Sequence, residues 1–187
     1  MTKPTLRRPR RILTGHDAQG RSIFLQDGPA PNLIQPEHSP NVGMFNLWRM
    51  LSIPCSFEGG ADEAPADATI TLAPPPGGLV FRYLEFPPDS ERNFAAQKQV
   101  FEAYGNPEAI SHGAQRHPGF HATNSVDFGI LLEGEIWALM DIGEKRLQPG
   151  DVVIQRGTNH AWANRSDKPA RMAFILVSAE ALPTAGK

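Results

Sequence analysis

The sequence predicts a mainly β protein, an antiparallel sandwich or closed barrel with one helix, and three observations carry that expectation. From Phe120 to Val177 short apolar runs alternate with turn residues at regular intervals, the spacing that packed antiparallel sheets require. The 18 prolines and 17 glycines make up about 19% of the chain against roughly 12% in average composition, which disfavours a coiled coil or helical bundle. Only one segment, after Pro87-Pro88, carries apolar residues at helical spacing.

Taken in order, residues 1–11 read as a flexible or swapped arm bearing Lys3, Arg7, Arg8, Arg10 and Arg11. Apolar runs at 11–14 and 21–25 flank Gly15-His16-Asp17-Ala18-Gln19-Gly20, which has the Gly and Asp content of a hairpin loop. A connection with Pro29, Pro31, Pro36 and Pro40 leads to a strand over 44–52. After Phe57 the acidic residues Glu58, Asp62, Glu63 and Asp67 mark a flexible, exposed loop near 57–71. The strand over 79–86 alternates, with Phe81, Tyr83 and Glu85 on one face and Val80, Arg82, Leu84 and Phe86 on the other. The helix is expected near 90–104, capped by Asp89 or Ser90 and buried through Phe94, Val100, Phe101 and Tyr104, where it would cover an open end of the barrel. The chain thus divides into an N-terminal arm and extension (1–78), a barrel unit (79–180) and a short tail (181–187).

A formal net charge of −2 and a pI near 6.3 offer no basic stripe to a phosphate backbone, so no nucleic acid is expected as partner. The longest apolar run, 172–177, is far shorter than the roughly 20 residues that cross a bilayer, and no apolar signal core follows the basic start. A cytoplasmic protein that engages no membrane is expected. The lone thiol, Cys55, excludes an internal disulfide and reads as a buried structural cysteine. Strands ahead of residue 50 need a sheet edge to pair with, which predicts a homodimer.

The residues that carry chemistry lie in the second half. Period-2 geometry turns His121, Thr123, Ser125 and Asp127 to one face, and His160, Trp162 and Asn164 share a face further on. If those strands oppose one another across a barrel, two imidazoles and a carboxylate meet, the facial set that suits Fe(II) and similar divalent ions. The alternative is a polar cluster satisfied by its own hydrogen bonds, with Asp127 accepting from His121 or Thr123. Trp162 would wall the pocket or stack on a planar ligand, Arg82 would anchor a carboxylate, and Glu85 would transfer protons. His112 and His117 lie in the loop after the helix. No nucleotide-binding motif occurs, so no nucleotide cofactor is expected.

The segments HATNSVDFGILLEGE (121–135) and PGDVVIQRGTNHAWAN (149–164) resemble the two motifs of the cupin superfamily. The second is the more specific, with its Gly150-Asp151 turn, Gly157 three residues before His160, and Asn164 four residues after it. The resemblance implies a double-stranded β-helix, or jelly roll, with metal ligands on its inner face. In this sequence the second histidine of the first motif is Thr123 and its glutamate is Asp127. The implied ligand set is therefore His121, Asp127 and His160, with Thr123 as a neutral fourth and Fe, Mn, Ni or Zn as the metal. The expected function is that of a small cupin-like enzyme binding a compact oxygenated, aromatic or non-aromatic, organic acid, through metal-assisted lyase, decarboxylase or dioxygenase chemistry. A non-catalytic, metal-free binding protein for a small ligand is the alternative.

Overall fold

The computed structural model describes residues 6–56, 62–110 and 116–181. Their strands are β1 (Arg10–His16), β2 (Ser22–Pro29), β3 (Leu33–Ile34), β4 (Gly43–Met50), β5 (Leu79–Phe86), β6 (Ser125–Glu133), β7 (Ile136–Met140), β8 (Glu144–Leu147), β9 (Val152–Arg156), β10 (His160–Ala163) and β11 (Ala170–Ser178). A six-stranded sheet in the order β3-β4-β5-β11-β6-β9 and a three-stranded sheet in the order β10-β7-β8 form the double-stranded β-helix, with β1 and β2 as a separate hairpin.

Alternation along the strands builds the core. On β5 and β11 the pairs Leu84↔Met172, Arg82↔Phe174 and Val80↔Leu176 are set directly opposite one another. With Leu131 from β6 of the same sheet and Ile136, Ala138, Leu147 and Trp162 from the facing sheet, Val80, Phe86, Met172, Phe174 and Leu176 form one buried cluster that joins the two sheets. Each such side chain contributes about 1.5–3 kcal/mol on burial. Two turns depend on glycine. Gly134, between β6 and β7, has φ +82°, and a Cβ there would lie 2.7 Å from the Pro169 carbonyl oxygen. Gly157, at φ +60°, turns the chain from β9 to β10 and so presents His160.

Several expectations are corrected. The helix is shorter than 90–104: 3₁₀ turns at Asp89–Glu91 and Phe94–Ala96 precede α1, Gln97–Ala103. Neither Asp89 nor Ser90 caps it, because both lie in the first 3₁₀ turn and the N-cap of α1 is Ala96, while the Asp89 carboxylate is engaged by Arg92 and by His117. Val100, Phe101 and Tyr104 are nonetheless buried, packed with Met44, Ile70 and Leu72, so α1 closes one end of the barrel as expected. The sheet takes β3 and β4 from the segment ahead of residue 79. Arg11 is not part of a solvated arm. It is 8% exposed and bonds to Asp62, Gln26 and the Leu47 carbonyl, which also ties down the acidic loop beyond residue 61. Cys55 is only half-buried. The rest of the arm before Leu6, the loop residues 57–61, His112 and the tail after 181 lie outside the described residues. No described helix is long and apolar enough to cross a membrane. The β1–β2 hairpin leaves Ile12, Phe24 and Leu25 exposed.

Candidate functional site

A cavity of about 90 Å³ opens between the sheets, under α1. Its walls come from β4, β5, β10, β11, α1 and the run 119–127, and most of its lining is apolar, with Met44, Leu84, Phe86, Phe101, Trp162 and Phe174 prominent. Against that background a few polar groups stand out.

His121 and His160 lie side by side, ring centroids 4.2 Å apart, because an isolated antiparallel bridge pairs the two residues. The Nδ1–H of His121 donates to the Gly119 carbonyl at 2.9 Å, and that of His160 to the Thr158 carbonyl at 2.9 Å. Since a carbonyl only accepts, both rings are fixed in the tautomer whose Nε2 carries a lone pair. Burial pulls the His121 pKa down to about 4, with Arg92 adding to the effect. Burial, reinforced by His121, holds His160 well below the ordinary histidine range. Both imidazoles are neutral at physiological pH. Trp162 packs edge-on against His160 and against Phe174, with centroids at 5.8 and 5.4 Å.

Asp127 is 5% exposed and sits opposite Gln155 in the β6–β9 register. Its Oδ1 accepts from the Ser125 hydroxyl at 2.5 Å, which also contacts the Thr123 hydroxyl at 2.9 Å. Its Oδ2 accepts from the Gln155 amide at 2.9 Å, and the same nitrogen reaches His160 Nε2 at 3.0 Å. One carboxamide therefore spends its two protons on Asp127 and His160, and its own oxygen is left buried without a partner among the described residues. The reverse amide setting would place an oxygen against a carboxylate and a lone-pair nitrogen. Burial raises the Asp127 pKa, opposed by Ser125, Arg82 and Gln155.

This donor set does not fit a resident divalent metal. Of the expected ligands only His121 Nε2 lacks a hydrogen-bond partner among the described residues. The single lone pair of His160 Nε2 accepts from Gln155, so one imidazole nitrogen and Asp127, whose oxygens accept from Ser125 and Gln155 and keep further lone pairs, are all that remain, with Thr123 bonded to Ser125. No group of three or more His, Cys, Asp or Glu among the described residues is arranged to hold a metal. The polar cluster satisfied by its own hydrogen bonds, posed above as the alternative, is the arrangement found, with Gln155 rather than His121 as the donor to Asp127.

The opposite wall carries Arg82, 2% exposed. It donates to the Leu72 carbonyl at 3.0 Å, the Thr71 carbonyl at 2.9 Å and Met44 Sδ at 3.2 Å. No described carboxylate pairs with it, and its Nε is unpartnered among the described residues. Burial lowers its pKa to about 10. Beside it the Tyr104 hydroxyl is buried and unpartnered too, its pKa pushed up to about 12 by burial. Glu85 does not join the site. It lies on the other face of β5, where it bonds to Arg171 at 2.8 Å, because strand alternation admits only one of Arg82 and Glu85 to the interior. His117 is held by Asp89 at 3.3 Å and by the Gly119 amide rather than lining the cavity. Asn164 is 1% exposed and bonded to the Phe86 and Lys168 carbonyls rather than lining the cavity. Sequence reasoning missed Gln155, Tyr104 and Arg92. Gln155 shares the inward face of β9 with Val153, where a polar residue carries no motif signal, and Tyr104 and Arg92 read as helix residues rather than as cavity groups.

Comparison with known proteins agrees with this architecture. The cupin domain family model matches residues 107–177. The chain is similar to a phomopsin biosynthesis cluster protein of Diaporthe leptostromiformis, at 30% identity over 98% of this chain and 86% of that one. It is similar to an oryzines biosynthesis cluster protein of Aspergillus oryzae, at 32% identity over 91% and 83%. It is also similar to a cupin-domain-containing oxidoreductase of Neurospora crassa, at 30% identity over 98% and 81%. Among solved structures, a Cupin 2 conserved barrel domain protein from Salinispora arenicola aligns with 54% of this chain and 64% of that one, at 17% identity and a TM-score of 0.34.

Proposed function

The chain belongs to the cupin superfamily, and on that premise we propose that it is a small-molecule enzyme whose barrel cavity takes a compact oxygenated substrate and moves a proton with His121. The single observation that carries this reading is the His121 imidazole. It is fixed by Gly119 in the tautomer that leaves Nε2 as an acceptor facing the cavity residues, and that nitrogen has no partner among the described residues. Its low pKa keeps the ring in the accepting form at physiological pH, and the negative charge that develops on the substrate would stabilise the imidazolium as it takes a proton from a carbon or hydroxyl next to a carbonyl, as in lyase or isomerase chemistry. His160 keeps the neighbouring ring in place, and the Gln155–Asp127 pair fixes His160 in turn. Trp162 and Phe174 give a flat wall that accommodates a planar substrate.

The test is solvent exchange. Phenylpyruvate incubated with the protein in D₂O should lose its benzylic C–H signal in the proton NMR spectrum. His121→Gln should slow this by about 10²-fold or more, the usual contribution of a positioned base, and a chelator should leave the rate unchanged. Equal rates in wild type and His121→Gln, or loss of exchange on chelation, would overturn the reading. A second reading is favoured by the name of the Neurospora crassa relative, an oxidoreductase. It predicts dioxygen uptake during turnover, measured with an oxygen electrode, where proton transfer alone predicts none.

A further inference from the structure

The polar groups of the cavity are unequal in charge. Two guanidiniums, Arg82 and Arg92, stand in the lining against one carboxylate, Asp127. Arg92 has its own partner outside the lining, Asp89 at 3.4 Å, and donates to the Trp162 carbonyl at 3.3 Å. Asp127 is turned to Ser125 and Gln155. Arg82 is left with two backbone carbonyls and a thioether, all neutral. The Asp127 charge acts on Arg82 from elsewhere in the lining, but no described carboxylate forms an ion pair with it, and a buried cation without such a pair is costly unless something completes it. Arg82 donates to the Leu72 carbonyl, and the Leu72 amide donates to the Tyr104 carbonyl at 2.9 Å, so Arg82 and Tyr104 share one corner of the cavity, where the charge of Arg92 acts on the Tyr104 hydroxyl and on His121. Two donors of that corner, Arg82 Nε and Tyr104 Oη, are buried without a partner among the described residues.

We infer that this corner is an anion subsite, in which Arg82 and Tyr104 receive the carboxylate of a compact organic acid while Arg92 adds charge. The inference rests on the reading that the cavity is a substrate site, and it sets the substrate's orientation. The carboxylate lies at the β5–α1 end, and the carbon next to it faces His121. The ligand's negative charge completes the guanidinium, and its oxygens take up the hydroxyl and Nε protons, through charge-assisted hydrogen bonds. A neutral molecule of the same shape would fill the apolar chamber but leave the cation unmatched.

The test compares benzoate with its neutral isostere benzamide by isothermal titration calorimetry, with ligand-observed NMR for weak binding. Benzoate should bind at least about tenfold more tightly than benzamide, the scale of one charge-assisted hydrogen bond. Tyr104→Phe should weaken benzoate by about fivefold to tenfold and leave benzamide unchanged. Arg82→Lys keeps the charge but loses the fork, and should narrow the gap between the two probes. Equal affinities for both probes in wild type, failure of both to bind at millimolar concentration, or an unchanged benzoate affinity in Tyr104→Phe would overturn the inference. These outcomes are separable from those for His121. Benzoate selectivity with exchange insensitive to His121→Gln leaves the subsite standing and removes the base, and the converse pattern does the reverse.

Discussion

Two walls face each other across one small cavity, and they are finished to different degrees. On the β6–β9–β10 side, Thr123, Ser125, Asp127, Gln155 and His160 form a continuous chain of hydrogen bonds. On the β5–α1 side, Arg82 and Tyr104 keep a charge and two donors that nothing described completes. The first wall has fixed its own geometry, with the single lone pair of His160 Nε2 already accepting from the Gln155 amide. The second is complementary to something absent. A polar network satisfied internally acts as scaffold, whereas orphaned donors around an unmatched cation describe the ligand they lack.

The largest expected effect breaks the finished wall. Gln155→Leu removes the one group that serves both Asp127 and His160, and so leaves a buried carboxylate oxygen and a buried imidazole nitrogen without donors. A cost of about 2–6 kcal/mol is expected, from roughly 1–3 kcal/mol for each of the two groups abandoned. At about 2–4 °C per kcal/mol for a domain of this size, thermal melts followed by circular dichroism should show a loss on the order of 10 °C. A loss of only a degree or two would mean that the chain of bonds is not the scaffold claimed here.

Acid acts on the same wall more gently. His121 has a folded pKa of about 4 against roughly 6.5 in the unfolded chain. Between those values the unfolded state binds the extra proton. The stability contribution is thus complete above about pH 6.5, falls as pH is lowered, and is exhausted below about pH 4. From pH 6.5 to 5 the loss should be about 2 kcal/mol for this residue, with His160 shifted in the same direction by its burial and by His121. Melts at the two pH values should differ by several degrees, and His121→Gln should reduce the difference. A profile identical in the variant would place the acid sensitivity elsewhere.

The two walls were not equally legible in the sequence. The β6–β10 side stands in motifs: His121, Asp127 and His160 were expected to converge, and of them His121 and His160 lie side by side while Asp127 reaches His160 only through the Gln155 amide. What was not legible is that Gln155 would stand between Asp127 and His160. Nothing in the composition of Val152–Arg156 distinguishes a glutamine facing a carboxylate from one facing water, because the register that sets it opposite Asp127 is a tertiary fact. On the other wall, strand alternation left Arg82 and Glu85 as rivals for the interior. The outcome turned on Arg171, 86 positions further along the chain, which pairs with Glu85 and holds it on the outer face. The helix was expected in the right place but too long, since the consecutive prolines and the engaged Asp89 carboxylate give two 3₁₀ turns before a regular helix begins. Its buried face was still correct, because Val100, Phe101 and Tyr104 need an apolar partner whatever the helix length.

The smallest expected effect is the most discriminating, because its sign separates the two walls. Removing a hydrogen-bonded group from the finished wall must destabilise the protein, since it strands the atom at the other end of the bond. Removing the Tyr104 hydroxyl strands nothing, as it donates to no described acceptor, and it relieves the cost of burying an unpaired group. Tyr104→Phe should therefore hold the melting temperature of the unliganded protein or raise it, by up to about 1 kcal/mol or a few degrees. Ser125→Ala, an equally small deletion on the other side, should lower it, because Asp127 Oδ1 and the Thr123 hydroxyl both lose a partner. A destabilised Tyr104→Phe would show that the hydroxyl is already satisfied in solution, and the contrast between a scaffold wall and a ligand-receiving wall would then fail at its weakest point.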